Sequence, residues 1–513
     1  MSGFKLIPLA RKLAVGLLVL GIVFFIGRVY QSEKGPSLQS WHRWSADEMS
    51  AEAIDHARFA DYLAHEDTLF RDMKTQLTDA LSDDEKTPLN RYYAQSRVYP
   101  AGFQPNWNRS QVLMPQGTIR GAAVLLHGLT DSPYSMRYLA QAWQQQGFVV
   151  VVPRMPGHGT APGALAKVER DQWLATTRLA VREATRLAGS SVPLHLVGYS
   201  NGGALAMQYA LDSLGNSALR RPQHIILLSP MIGVPSYARF AGLAGWPAAF
   251  PAFAKAAWLN VVPEFNPYKY NSFPVNAARQ SWLLTQALQQ QIQQAARSGQ
   301  IKDLPPVLTF QSVMDSTVST RAVVDALYRY LPQNGSELVL FDINQAANAG
   351  ALFRPSASLA VNTLLPAPPR RYTTTVITNA AADSVDTVAR MTPAQAVQET
   401  QEALHIAWPP GMFSLSHIAL PFPLNDSLYG LYPAQSNQYG ISLGAISLRG
   451  ETNTLAVSLD TLMRASSNPF FPWMMAQINQ RIACSDKRDF PACLNASRQS
   501  PADRAVAGEN QPR

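Results

Sequence analysis

A doubly wound, mostly parallel α/β sheet with a cap insertion, preceded by an N-terminal transmembrane helix, is the architecture this sequence predicts. Three observations carry the prediction. From about residue 110, short apolar runs alternate with helical stretches. Residues 13–27 form an uncharged apolar run flanked by basic residues. A serine stands between two glycines, in "LVGYSNGGAL" (196–205), where one of the apolar runs gives way to a helical stretch.

The N-terminal run, "LAVGLLVLGIVFFIG", follows Lys5, Arg11 and Lys12 and is closed by Arg28. Lys12 and Arg28 can snorkel and extend its reach. No small-x-small cleavage site follows, so an uncleaved anchor is expected rather than a removed signal peptide. The positive flank places the basic end in the cytoplasm and everything after it outside, on the periplasmic or extracytoplasmic side of the inner (plasma) membrane. The expected boundaries are 1–30 for the basic end and anchor, 31–109 for a connector and helical lead-in, and 110–513 for the main domain. Within the lead-in, Ile54, Phe59, Leu63, Leu69 and Phe70 recur at helical spacing, and His56 and His65 lie among acids on what reads as a solvated helix face.

The main domain is read from "GAAVLLHG", "GFVVVVPRMPGHG", "PLHLVGYS", "HIILLSP", "PVLTFQSVMD" and "ELVLFDIN", each a short apolar run ending in turn or polar residues. Such runs suit parallel strands buried on both faces. Helical stretches such as "SMRYLAQAWQQQ" and "DQWLATTRLAVREATRLA" separate them, which is the βα alternation of a doubly wound sheet. Two stretches interrupt it, residues 231–300 and 344–412. Both follow strand C-termini, the edge at which open α/β sheets bind ligands. The first is expected to be a cap, and the second either a further cap element or a surface excursion.

The serine at the strand-to-helix junction is Ser200, in Gly198-Tyr199-Ser200-Asn201-Gly202. Flanking glycines let a strained turn expose the hydroxyl, which becomes a useful nucleophile only with a base in reach. An acid is expected at the end of a later strand, and "SVMDSTV" supplies Asp315. Only His405 and His417 lie beyond it. His417, in the loop-like "MFSLSHIALPF", is favoured over His405, which reads as the end of a helix. For the negative charge that develops in acyl transfer, the backbone N–H groups of Leu129 and Asn201 are the expected donors. His127 and His158 precede Ser200 and are expected to brace loops.

The formal net charge is +8, yet no dense basic block or basic–aromatic stretch appears, which argues against nucleic acid as a partner. Cys484 and Cys493, in "CSDKRDFPAC", are the only cysteines and could form a small loop disulfide. Their spacing does not suit zinc.

In order, "HGLTDSP", "PGHG", "GYSNGG", "SVMDSTV" and "SLSHIALPF" resemble the α/β-hydrolase family, in its branch of monoacylglycerol lipases, carboxylesterases and serine aminopeptidase-like hydrolases. The resemblance covers roughly residues 110–342 and 413–480. It implies Ser200 as nucleophile, Asp315 as acid, His417 as base, Leu129 and Asn201 as oxyanion donors, and no metal or organic cofactor. The sequence departs from the family where about seventy residues separate "ELVLFDIN" from the His417 loop. The expectation is a membrane-anchored serine hydrolase acting on carboxylic esters, lipid or acylglycerol-like, with Trp246, Phe250, Phe253 and Trp258 of the cap facing a hydrophobic acyl group. Two alternatives stand beside it. A serine aminopeptidase or amidase on the same fold would need an acid such as Glu264 for a substrate ammonium, and a non-catalytic receptor or scaffold would need neither.

Overall fold

A computed structural model of the chain describes residues 6–234, 241–348, 350–446, 457–484, 490 and 493. Helix α1 (Leu6–Glu33) carries the N-terminal apolar run. Its stretch Arg11–Glu33 is long and apolar enough to cross a membrane, at about 35 Å of helix. The helical spacing read across residues 54–70 of the lead-in falls on two helices rather than one. The first is Ala51–His56 and the second, α2, is Phe59–Met73, with the chain extended at Ala57 and Arg58 between them.

The main sheet begins with β1 (Gln111–Leu113), β2 (Gly121–Leu126), helix α3 (Arg137–Gln145) and β3 (Phe148–Val152). Then come α4 (Arg170–Ala188), β4 (Leu194–Tyr199), α5 (Asn201–Gly215) and β5 (His224–Leu228). A two-stranded hairpin, β6 (Trp258–Asn260) and β7 (Phe273–Pro274), leads into α6 (Val275–Ser298). The sheet resumes with β8 (Val307–Ser312), β9 (Glu337–Phe341), β10 (Thr373–Asn379), β11 (Asp386–Thr392) and β12 (Thr400–Ala407), and α7 (Phe471–Cys484) follows.

The ten strands of the sheet run β1-β3-β2-β4-β5-β8-β9-β10-β11-β12. From β3 to β10 every pairing is parallel, and β1, β11 and β12 add antiparallel edges. Each of the six apolar runs read from the sequence is one of the parallel strands, and every residue of β2, β3, β4, β5, β8 and β9 is buried. Parallel strands need helices on both faces, and the two cores lie accordingly on either side. Val124, Leu196, Ile225 and Val307 belong to one core, while Val150, Val197, Ile226 and Phe310 belong to the other.

Three regions differ from their sequence reading. The stretch 344–412 is largely an extension of the sheet, since β10 pairs with β9 and β11 and β12 continue from it. His405 consequently sits in the edge strand β12, exposed, with a positive φ of 54°, and not at a helix end. The helix formers Gln401, Glu402 and Ala403 mask an edge strand, which needs only one covered face. In the stretch 231–300, α6 packs Ala277, Leu284, Leu288 and Ile292 into a main core, so it belongs to the layer flanking the sheet. The lead-in also joins that core through Ile54, Phe59 and Tyr62. Buried Arg154, after β3, pairs there with Glu48 (2.8 Å) and Glu66 (3.2 Å). Cys484, at the end of α7, is disulfide-bonded to Cys493.

Candidate active site

Ser200 joins β4 to α5 with φ 54° and ψ −116°, a conformation that non-glycine residues seldom adopt and that costs energy unless the surroundings enforce it. Tight packing enforces it here. A Cβ on Gly198 would lie 2.3 Å from the Gly202 carbonyl oxygen, and one on Gly202 would lie 2.0 Å from that of Leu126. Only glycine at both positions lets the turn press against the end of β2. The Ser200 N–H donates to the Leu228 carbonyl (3.0 Å), and the Met231 N–H donates to the Ser200 carbonyl (2.9 Å).

The turn brings Ser200 Oγ within 2.9 Å of His417 Nε2, and His417 Nδ1 lies 2.7 Å from Asp315 Oδ2. Asp315 follows β8. Its Oδ1 accepts from the N–H groups of Thr317 (2.8 Å) and Val318 (3.1 Å), and its Oδ2 also accepts from Gln311 Nε2 (3.1 Å). Burial alone would raise the Asp315 carboxyl. The charge interaction and hydrogen bond with His417, together with the Val318 and Thr317 amides, outweigh burial and hold it below the usual carboxylate range. An ionised carboxylate only accepts, so Nδ1 carries the proton and Nε2 is free to accept from the Ser200 hydroxyl. Tyr199 stacks on the His417 ring at 5.4 Å, and its hydroxyl donates to the His417 carbonyl (3.2 Å).

His417 reaches this place despite the long preceding insertion because the insertion closes on itself. Asn344, just beyond β9, donates its N–H to the Phe413 carbonyl and its Nδ2 to the Met412 carbonyl, both at 2.9 Å. Its Oδ1 accepts from Asn379 Nδ2 at the end of β10 (2.9 Å). The chain thus leaves the sheet at residue 344 and returns beside it at 412–413. Sequence reading did not single out Asn344, because one asparagine after a strand looks like any turn residue.

Leu129 lies in the loop after β2, and Asn201 opens α5, where the helix dipole is positive. Among the described residues, no backbone oxygen accepts from the N–H of either. His127 braces this loop: its Nδ1–H donates to the Gly128 carbonyl (2.9 Å) and its Nε2 accepts from the Met155 N–H (3.1 Å). Burial pushes His127 down to about 3, so it is neutral at ordinary pH. His158 packs edge-on to His127 at 5.1 Å and is also held low, by burial and then by its neighbour His127. Lys269 was not foreseen. Its Nζ donates to Thr130 Oγ1 (3.1 Å), and the Tyr270 N–H donates to the Thr130 carbonyl (2.7 Å), which together hold Thr130 at φ 62°. Burial lowers the Lys269 ammonium, with Asp131 opposing.

A cavity of about 750 Å³ opens over Ser200 and His417, within the roughly 300–1,000 Å³ of small-molecule sites. Its walls include Leu129, Lys269 and Arg464 and an apolar arm of Phe24, Ala244, Leu259 and Phe273. Trp246, Phe250, Phe253 and Trp258 are not among the lining residues, contrary to expectation. The first three surround Phe25 of α1, and Trp258 packs edge-on to His42. Glu264 does not line the cavity either. Its carboxylate is buried and accepts from the N–H groups of Asn271 (2.9 Å) and Ser272 (2.7 Å).

Residues 117–342 match the family model described as serine aminopeptidase, S33. A thermostable monoacylglycerol lipase of Bacillus sp. (strain H-257) is 40% identical over 53 residues, 10% of this chain. The chain spans about a fifth (21%) of that relative's length. Two solved structures are also similar. A soluble variant of monoglyceride lipase from Saccharomyces cerevisiae is 16% identical with a TM-score of 0.35, over 45% of this chain and 81% of that one. The monoacylglycerol lipase of Paleococcus ferrophilus is 17% identical with a TM-score of 0.34, over 49% and 98%. The segment matched by the family model runs from just before β2 to the end of β9, through the mostly parallel sheet, and over these residues the chain is similar to that hydrolase family.

Proposed function

We propose that the protein is a membrane-anchored serine hydrolase of carboxylic esters, with Ser200 as nucleophile, His417 as base and Asp315 as its orienting acid. The observation that carries this reading is the unbroken hydrogen-bond chain from Ser200 Oγ through His417 to Asp315, at 2.9 Å and 2.7 Å. Ser200 Oγ attacks the ester carbonyl carbon as its proton passes to His417 Nε2. The carbonyl oxygen, now negative, is held by the N–H groups of Leu129 and Asn201. Collapse expels the alcohol, which takes the proton from His417, and leaves an acyl-enzyme. Water activated by His417 then releases the acid and restores Ser200.

The anchor reading rests on the length and apolarity of α1. Its basic start lies in the cytoplasm and the catalytic domain in the periplasm or outside, with residues 31–109 as lead-in and part of 231–274 as the cap. An ester is favoured over an amide of a free amino terminus because Glu264, the acid the cap sequence offered for a substrate ammonium, is committed to backbone amides and does not line the cavity. Full-length protein in detergent should hydrolyse p-nitrophenyl butyrate. Asp315→Asn should lose roughly 10⁴-fold in kcat, and Ser200→Ala and His417→Ala about 10⁶-fold each. Faster turnover of an aminoacyl p-nitroanilide, or full activity in Ser200→Ala, would overturn the reading.

A further inference from the structure

The apolar helix at the N-terminus does more than precede the sheet. Phe24, on α1, lines the same cavity as Ser200 and His417. The next residue, Phe25, meets Trp246, Phe250 and Phe253 edge-on, with ring centroids 6.0, 6.1 and 5.6 Å away. One turn further, Arg28 donates from Nε to the Ala244 carbonyl (3.0 Å) and from Nη2 to the Trp258 (2.5 Å) and Ala256 (3.3 Å) carbonyls. At the end of the helix, Glu33 pairs with Lys255 at 3.4 Å. Three contacts along the helix therefore fasten α1 to the segment 244–258.

These contacts fix where the cavity lies relative to a bilayer. Arg28 closes the apolar run, so the hydrocarbon ends near its level, and Trp246 belongs to the residue type that settles at that boundary. Phe24 is four residues earlier, about 6 Å deeper along the helix axis. Around it the surface is apolar and open: Ile26, Trp246, Phe250 and Leu259 are 61%, 58%, 54% and 46% exposed. Exposed apolar side chains gathered at a cavity-bearing helix in this way mark a surface that meets a partner or a lipid. Its continuity with a helix fit to span a bilayer selects lipid.

We propose that α1 is a wall of the substrate cavity as well as an anchor, and that the site draws long-chain acyl esters laterally from the bilayer that α1 spans. The acyl chain lies along Phe24, Leu259 and Phe273, and its ester carbonyl reaches Ser200. This proposal rests on the reading of Ser200 as nucleophile and of α1 as a membrane span.

The test uses full-length protein in phosphatidylcholine–phosphatidylglycerol vesicles and two fluorophosphonates, from which Ser200 Oγ would displace fluoride at phosphorus. One probe is short and water-soluble. The other has a sixteen-carbon chain ending in a photoreactive diazirine. Once the long probe is bound to Ser200, light should join its chain end to α1 around Phe24, as read by peptide mass spectrometry. Phe24→Trp should lower the ratio of long-probe to short-probe labelling rates at least fivefold, a ratio in which a general loss of folded enzyme cancels. The long probe placed in the enzyme's own vesicles should label at least fivefold faster than the same probe in separate vesicles, measured before it exchanges. Cross-links that avoid α1, or an unchanged ratio in Phe24→Trp, would overturn α1 as a wall. Equal rates from own and separate vesicles would overturn lateral entry. If the short probe also fails to label Ser200, the hydrolase reading itself falls and takes this one with it.

Discussion

At Ser200 a hydroxyl is held in a backbone conformation it would not choose, and two glycines make that possible. Gly202 is the sharper case, because a Cβ there would meet the Leu126 carbonyl oxygen at 2.0 Å, and backbone on both sides leaves little room to yield. Gly202→Ala is therefore expected to destabilise the fold by about 3 kcal/mol or more and to move Ser200 out of reach of His417. Urea unfolding and p-nitrophenyl butyrate turnover check this, and a variant with native midpoint and activity would contradict it. The candidates Ser200, Asp315, His417, Leu129 and Asn201 could be picked out in the sequence because each sits at the end of a recognisable apolar run or beside a short motif. Lys269 could not, since its partner Thr130 lies 139 residues away and a lone lysine in "NPYKYNS" has no local signature.

Among the elements, the region 344–412 decides whether the site can assemble. The sequence read it as a cap element or an excursion. "RYTTTVITN", a β-branched run, was the available signal for β10, and it was obscured by the low-charge Ala, Thr and Pro around it. β12 had a weaker signal still, because an edge strand covered on one face tolerates helix formers. The Asn344 side chain clasps the base of this region by donating to Met412 and accepting from Asn379. Asn344→Ala strands both partners, which should cost roughly 1–3 kcal/mol. It should also lower kcat about tenfold while KM changes less, because the His417 loop loses its mooring and the cavity wall does not. Steady-state kinetics beside thermal unfolding would show this. A loss of stability with kcat intact would separate Asn344 from the positioning of His417.

For the whole molecule, six of the seven parallel strands and their order of appearance were legible because burial on both faces demands unbroken apolar runs. The attachment of the lead-in was not. No sequence pattern singles out Glu48 or Glu66, and only the fold shows them buried against Arg154. Buried ionisable groups also set the response to acid. Burial pushes His195 down to about 3 from an ordinary 6.5, with Arg220 adding to the effect. Its folded-state value is depressed, so below about pH 6.5 the unfolded chain binds a proton that the folded chain refuses. Stability from His195 is thus complete above that pH and is lost as pH falls toward 3, at about 1.4 kcal/mol per pH unit. His195→Phe should flatten the stability profile by that slope between about pH 6 and pH 5. Comparing variant with parent isolates this residue from Glu66 and Glu264, whose burial acts in the opposite sense. Parallel profiles in urea unfolding would contradict the assignment.

The most direct measurement is fluorophosphonate labelling of the full-length protein, mapped by peptide mass spectrometry, with Ser200→Ala and His417→Ala alongside. A single rapid adduct on Ser200, absent from the first variant and slowed at least a hundredfold in the second, is the expected result. No adduct on folded protein, or labelling of His417→Ala at the parent rate, would contradict an activated serine at this site.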